Sequence, residues 1–106
     1  DDCIVGTKTI FDSELSEVFN LGSAEQVSIN QMIEMIEKIS SHTVQKKYLL
    51  DKPKGVRGRS SDNTLIKKKI DWEPNITLYS GLEKTYKWIY DQIKSGDNTS
   101  RYTRSY

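Results

Sequence analysis

The 106-residue sequence contains one cysteine, Cys3, and one histidine, His42. A lone cysteine excludes an internal disulfide, and with a single histidine it cannot assemble the Cys/His set of a structural zinc site. No glycine-rich G-x-G-x-x-G stretch occurs anywhere in the chain, so the loop that cradles a dinucleotide pyrophosphate is missing. Long apolar runs are missing too. Nothing approaches the roughly 18 residues needed to cross a bilayer, and the opening DDCIVGTKTI has neither the basic nor the long apolar region of a secretory leader. These absences predict a cytoplasmic chain without bound metal and without membrane contact. Hydrophobic residues make up only 35%, and a chain this short buries a small share of its surface. The composition therefore suits one small domain, or part of a larger protein, with marginal stability of its own.

What is present is charge, unevenly placed. The net charge is +1, yet residues 46–69 hold nine Lys or Arg against Asp51 and Asp62, so this window carries +7 and the rest of the chain −6. A basic segment on a nearly neutral chain points to a discrete anion site rather than a surface coated for nucleic acid. For Lys67, Lys68 and Lys69 a solvated lysine face is the simpler reading.

Periodicity predicts four helical stretches and two strands. The first ten residues permit a short helix with Cys3, Ile4 and Ile10 inward. EVFNLGS (17–23) alternates Val18 and Asn20 against Phe19 and Leu21 and ends on Gly22, as a strand entering a turn does. SINQMIEMIEKIS (28–40) places Ile29, Met32, Ile33, Ile36 and Ile39 at helical intervals behind a Ser28/Gln31 capping-box spacing. TVQKKYLL (43–50) is β-branched and aromatic enough for a short strand, broken by Pro53. SDNTLIKKKI offers Ser61 or Asp62 as N-cap and Leu65, Ile66 and Ile70 as an apolar face, and Pro74 is expected to end that helix. In SGLEKTYKWIYDQIKS, Ser80 and Glu83 repeat the capping-box spacing ahead of a Leu82, Tyr86, Ile89, Ile93 stripe flanked by Trp88. The residues 96–106 are polar and aperiodic, a mobile tail in this reading. Strands alternating with helices define an α/β class, but two short strands cannot form a covered sheet, so further strands must come from another chain or domain.

Few residues could do chemistry. His42 follows a predicted helix, where a cation complements the helix dipole. Cys3 has no neighbour in sequence to lower its pKa. Of two Tyr-x-x-x-Lys spacings, Tyr48/Lys52 falls on a predicted strand, and Tyr90/Lys94 falls on a helix where a lysine one turn away can act on a tyrosine hydroxyl. Among six tyrosines and many lysines a chance match is the simpler reading. The segment KGVRGRSSDN (54–63) is more informative. Arg57 and Arg59 can present guanidinium forks to phosphate oxygens. Gly55 and Gly58 allow close backbone approach, and Ser60, Ser61 and the amides opening the next helix can add donors. The residues alone leave a phosphate cradle and a solvated basic loop both open.

GVRGRSSDNTLIKKKIDWEPNITLYSGLEKTYKWI, with DDC and VFNLGSAEQVSINQMIEMI before it, resembles the C-terminal part of the GDP-mannose 3,5-epimerases, nucleotide-sugar enzymes of the extended short-chain dehydrogenase/reductase superfamily. The resemblance covers residues 1 to about 94 and is most specific at VRGRSSDN. It implies the C-terminal substrate-binding portion (1–95) of a Rossmann-type enzyme, with few short strands and three to four helices, in which 1–23 packs on a nucleotide-binding domain. In such enzymes NAD oxidises the sugar at C4, a proton is exchanged beside the ketone, and the sugar is reduced again; NAD and the catalytic residues belong to the preceding domain. This stretch alone would thus be inactive and would bind no cofactor. By resemblance Arg59 is the arginine that contacts the nucleotide-sugar diphosphate, Arg57 and Ser60 are its neighbours, and Ser105 matches a substrate-contacting serine of the plant enzymes. Asn20 and Gly22 match a strand end beside the cofactor domain. The implied partner is a GDP-mannose-like nucleotide sugar, not nucleic acid, and the implied assembly a homodimer. A nucleotide-sugar 4,6-dehydratase or 4-epimerase shares the broader motifs. A small anion- or nucleic-acid-binding module is the rival of another class, disfavoured by the scarcity of aromatics among the basic residues.

Overall fold

The structure, a computed structural model, describes residues 1–96. Their elements are four helices, α1 (Asp2–Asp12), α2 (Ile29–Ser40), α3 (Thr64–Ile70) and α4 (Leu78–Lys94). They fall into two compact units, one made of residues 1–28 and 46–77, the other of 29–45 and the described residues from 78.

The first unit is built around Trp72 and Ile66, the two buried hydrophobic side chains among the described residues, at 9% and 1% exposure. The inward face of α1 is set by Gly6, its one buried residue. A Cβ at that position would meet Trp72 Cζ2 at 2.8 Å, Trp72 Cε2 at 2.9 Å, and the Leu21 Cδ1 methyl. The glycine is thus a notch through which an indole and a leucine reach the helix backbone. At the start of the same helix, Asp2 Oδ2 accepts hydrogen bonds from the Asn75 and Ile76 N–H groups at 3.0 and 2.9 Å. Helix α1 therefore turns inward on a notch and a carboxylate, and the expectation that Cys3 and Ile4 face the core is corrected: Cys3 is exposed and Ile4 is 73% exposed. Ile10 is half-buried. Phe11 and Val18 are also exposed, at 84% and 89%.

Neither expected strand forms, so the α/β arrangement is not realised among the described residues. A strand exists only when a neighbour takes its row of N–H and C=O groups. In 17–23 the Ser23 carbonyl accepts from the Ser61 N–H at 2.9 Å, a single contact rather than a ladder. In 43–50 the Val44 N–H is taken by Glu37 Oε1 at 2.8 Å, and the end of the segment turns, with the Lys52 N–H reaching the Leu49 carbonyl at 3.4 Å.

Helix α3 buries Ile66, half-buries Ile70 and leaves Leu65 exposed. Its N-cap position is Asn63 rather than Ser61 or Asp62, and it stops before Pro74 can act. Asp71 takes left-handed geometry at φ 55°, with its N–H bonded to the Lys67 carbonyl at 3.0 Å. Asp is one of the few side chains that tolerates this conformation.

In the second unit α2 packs on α4. The period-3.6 stripe of α2 is half-buried at Met32, Ile33, Ile36 and Ile39, while Ile29 stays 68% exposed. Helix α4 begins at Leu78, so Ser80 lies inside it rather than capping it; Leu78 and Tyr79 tolerate helical geometry, so nothing in their chemistry stops the helix at Ser80. Leu82, Tyr86 and Ile89 are half-buried, but Ile93 and Trp88 are about half exposed, at 51% and 50%. Gly96, at φ +74°, ends α4 in the left-handed geometry that glycine adopts without a Cβ penalty. At the end of α2 that position is filled by Ser41, at φ 56°. His42 does cap this end: its Nδ1–H donates to the Ser40 carbonyl at 2.6 Å. The tail, including Ser105, lies outside the described residues.

Two stability effects are expected. Gly6→Ala should destabilise the chain by about 1–3 kcal/mol through overpacking against the buried indole, outweighing the roughly 1 kcal/mol that alanine gains in a helix; an unchanged or higher urea midpoint would contradict it. Ser41→Gly should stabilise by about 0.5–1 kcal/mol, because the left-handed backbone costs a non-glycine residue about 1–2 kcal/mol and part of that relief is lost to glycine's greater unfolded freedom. A fall in melting temperature would contradict that expectation.

Candidate functional site

The first unit carries a cleft of about 460 Å³ lined by residues 19–23 on one side and 59–62 on the other. Hydrogen bonds hold its walls together. The Ser61 N–H donates to the Ser23 carbonyl at 2.9 Å. Asn63 Nδ2 donates to the Gly22 carbonyl at 2.8 Å, and Asn20 Nδ2 reaches the Asp62 carbonyl at 3.4 Å. Gly22 permits this approach, since a Cβ there would stand 3.0 Å from Ser61 Cβ. Gly58 likewise lies under the Gln26 side chain, and a Cβ would collide with its Nε2. A Cβ on Gly55 would meet nothing within 4 Å, and one on Gly58 would meet only the end of the flexible Gln26 side chain, which can turn aside.

Arg59 lines the cleft, and Ser60 lies beside it. Among the described residues neither side chain has a hydrogen-bond or ion-pair partner. Arg57 is equally unpaired but stands outside the lining. The structure thus brings Arg59 and Ser60 to one place and leaves Arg57 apart. Ser61 differs from expectation. Its N–H is spent on Ser23 and its Oγ donates to Asn63 Oδ1 at 2.7 Å, so it braces the wall instead of offering donors to a ligand. The first amide of α3 is also occupied, because the Thr64 N–H donates to Asp62 Oδ1 at 3.0 Å and the Thr64 hydroxyl to the same oxygen at 2.6 Å.

Those two bonds from Thr64, the hydroxyl's above all, hold the Asp62 carboxyl below its ordinary range. Hydrogen bonds that favour the carboxylate explain the direction. At neutral pH the cleft therefore contains one fixed anion, already engaged, and one unengaged cation. Elsewhere in the basic window the lysines are partly spent: Lys67 Nζ lies 2.6 Å from Glu73 Oε2 and Lys69 Nζ 3.3 Å from Glu17 Oε1. Such exposed pairs contribute little stability, but they remove positive charge from the surface around α3. Tyr90 and Lys94 do meet on α4, with Lys94 Nζ 4.9 Å from the ring centroid. The lysine is held protonated above its ordinary range, first by its hydrogen bond to Tyr90. Among the described residues no group of three or more His, Cys, Asp or Glu could hold a metal ion, and no helix is long and apolar enough to cross a membrane.

Nothing in the sequence singles out Asn63, whose place in SDN marks only a helix start. The available signal was chemical: a carboxamide can donate and accept at once.

Comparison with curated proteins sets this stretch beside nucleotide-sugar epimerases and dehydratases. A UDP-glucuronate 4-epimerase from Thermodesulfobacterium geofontis is 32% identical over 95 residues, covering 89% of this chain and 29% of that protein. Within this class the identity rises for GDP-mannose 3,5-epimerases. The Arabidopsis thaliana protein is 40% identical over 114 residues, covering 99% of this chain and 29% of its own length. GDP-mannose 3,5-epimerase 1 of Oryza sativa subsp. indica is 43% identical over 94 residues, covering 89% of this chain and 25% of its own. The resemblance carried by the motifs therefore holds, and the matched stretch is the C-terminal part of these epimerases. The chain spans 25–29% of the length of these relatives. No protein-family model matches it.

The Asp62 geometry predicts a titration. A carboxyl with a lowered folded pKa contributes stability that is complete above the ordinary aspartate pKa and is lost as pH falls through the folded value. The Asp62 carboxyl should titrate by NMR below the range of an unstructured aspartate, and Thr64→Val should move it back up. A midpoint in the ordinary range in the unmutated chain would contradict the bonding described.

Proposed function

We propose that this chain is the substrate-binding portion of an NAD-dependent nucleotide-sugar epimerase acting on a GDP-mannose-like substrate, and that Arg59 grips the substrate's diphosphate. The observation that carries the proposal is the unpaired Arg59 guanidinium in a cleft whose carboxylate is already satisfied by Thr64. A planar fork of N–H donors matches phosphate oxygens in pairs, which a lysine cannot do. Binding energy gathered at the diphosphate would orient the sugar for groups elsewhere in the enzyme. The identity to GDP-mannose 3,5-epimerases supports this substrate class.

In this reading NAD is held elsewhere in the enzyme. The sequence has no G-x-G-x-x-G, and Gly55 and Gly58 lie in a loop with no strand before it among the described residues. No chemical step is assigned to this stretch, and alone it is expected to be inactive. The exposed Ile4, Phe11 and Val18 fit a portion that lies against further protein in the intact enzyme. The 32% identity to a UDP-glucuronate 4-epimerase favours a second reading, in which the same cleft serves a 4-epimerase.

In the full-length protein, Arg59→Ala should weaken GDP-mannose binding by about 1.5–3 kcal/mol, the scale of hydrogen bonds to charged groups, measured by titration calorimetry. Unchanged affinity would overturn the role of Arg59. Tighter binding of UDP-glucuronate than of GDP-mannose by the unmutated protein would select the second reading.

A further inference from the structure

The two walls of the cleft are joined by one side chain that uses both ends of its carboxamide. Asn63 Nδ2 donates to the Gly22 carbonyl at 2.8 Å, and Asn63 Oδ1 accepts from the Ser61 hydroxyl at 2.7 Å. The assignment of nitrogen and oxygen follows from the partners, because a carbonyl only accepts. Ser61 is two residues from Arg59, and its N–H closes the same bridge on Ser23. The side chain is half-buried, and its bond to Gly22 connects positions 41 residues apart in sequence. Arg59 itself has no partner to hold it among the described residues, so the backbone that carries it takes its place from this bridge.

We infer that Asn63 is a positioning residue: by pinning Ser61 to the Gly22 wall, it fixes the span between that wall and Arg59, and so sets how well the cleft grips a diphosphate. This inference rests on the proposed nucleotide-sugar function of the cleft. The carboxamide carries a donor and an acceptor side by side on one short planar group, and aspartate, which has nearly the same shape, would turn an oxygen toward the Gly22 carbonyl. Aspartate also remains a good N-cap residue, so Asn63→Asp removes the bridge without removing the helix start.

The test is a double-mutant cycle on the full-length protein, with GDP-mannose as the probe in titration calorimetry and the melting temperature recorded for each variant. Asn63→Asp should bind about tenfold more weakly, the loss of roughly one hydrogen bond's worth of positioning. In the Arg59→Ala background the same substitution should change affinity by less than about twofold, since residues that act through one another are not additive. A purely structural role would instead lower affinity equally in both backgrounds, along with the melting temperature, and that result would overturn the inference. So would full affinity in Asn63→Asp when Arg59→Ala is impaired. If the unmutated protein binds no GDP-mannose, or Arg59→Ala binds it as well as the unmutated protein, the functional proposal falls and this inference falls with it. Should Asn63→Asp fail to fold, Gly22→Ala replaces it in the cycle. Its Cβ would stand 3.0 Å from Ser61 Cβ and push the same wall, so the same coupling to Arg59 is expected and additivity would again be contrary.

Discussion

Because Gly6 has no Cβ, the indole of Trp72 and the methyl of Leu21 can reach the backbone of α1, and that approach decides where the 19–23 segment runs. The dependence extends outward from there. Leu21 lines the cleft on the face opposite Arg59's segment, so one wall of the site is seated directly on the core. Asp2 fixes the far end of the same assembly by accepting two backbone N–H groups at 75 and 76. With only Ile66 and Trp72 buried among the described apolar side chains, the unit depends on close approach at a few points more than on buried area. Interiors are dense enough that a single methyl in such a place is felt.

The electrostatics of the site follow from which charges find partners. A window of nine basic residues looks like a diffuse patch, yet Lys67 and Lys69 are drawn to Glu73 and Glu17, and Asp62 is satisfied by Thr64. What is left in the cleft is Arg59. A ligand with two adjacent phosphates suits one rigid fork better than it suits a scatter of flexible ammonium groups. The substrate-binding proposal therefore depends on one guanidinium and on the hydrogen bonds that place it, with the remaining positive charge serving as background.

Much of the helical content was legible because α2, α3 and α4 announce themselves by apolar spacing, and the stripe at Met32, Ile33, Ile36 and Ile39 is where periodicity put it. The strands were not legible, since β-like composition at 17–23 and 43–50 says nothing about whether a neighbour exists to pair with. Nor was the inward face of α1, where the deciding residue is a glycine, which carries no hydrophobic signal. The loop at 54–63 stands out by residue type as a possible anion site, although the residues alone leave a solvated basic loop equally open. The division of labour inside it was not legible, because whether Ser61 faces a ligand or braces a wall depends on Gly22 and Asn63, one of them far away in sequence. Helix ends were similarly hidden: α3 stops on a left-handed Asp71, ahead of the proline at 74 that marks the natural terminator in the sequence.

In the proposed function a nucleotide-sugar diphosphate lies against Arg59. A crystal structure of the full-length protein with bound GDP-mannose tests it most directly. Diphosphate oxygens are expected within hydrogen-bond reach of the Arg59 guanidinium, roughly 2.7–3.0 Å, between the 19–23 and 59–62 walls. A diphosphate bound elsewhere, with Arg59 turned to solvent, would contradict it.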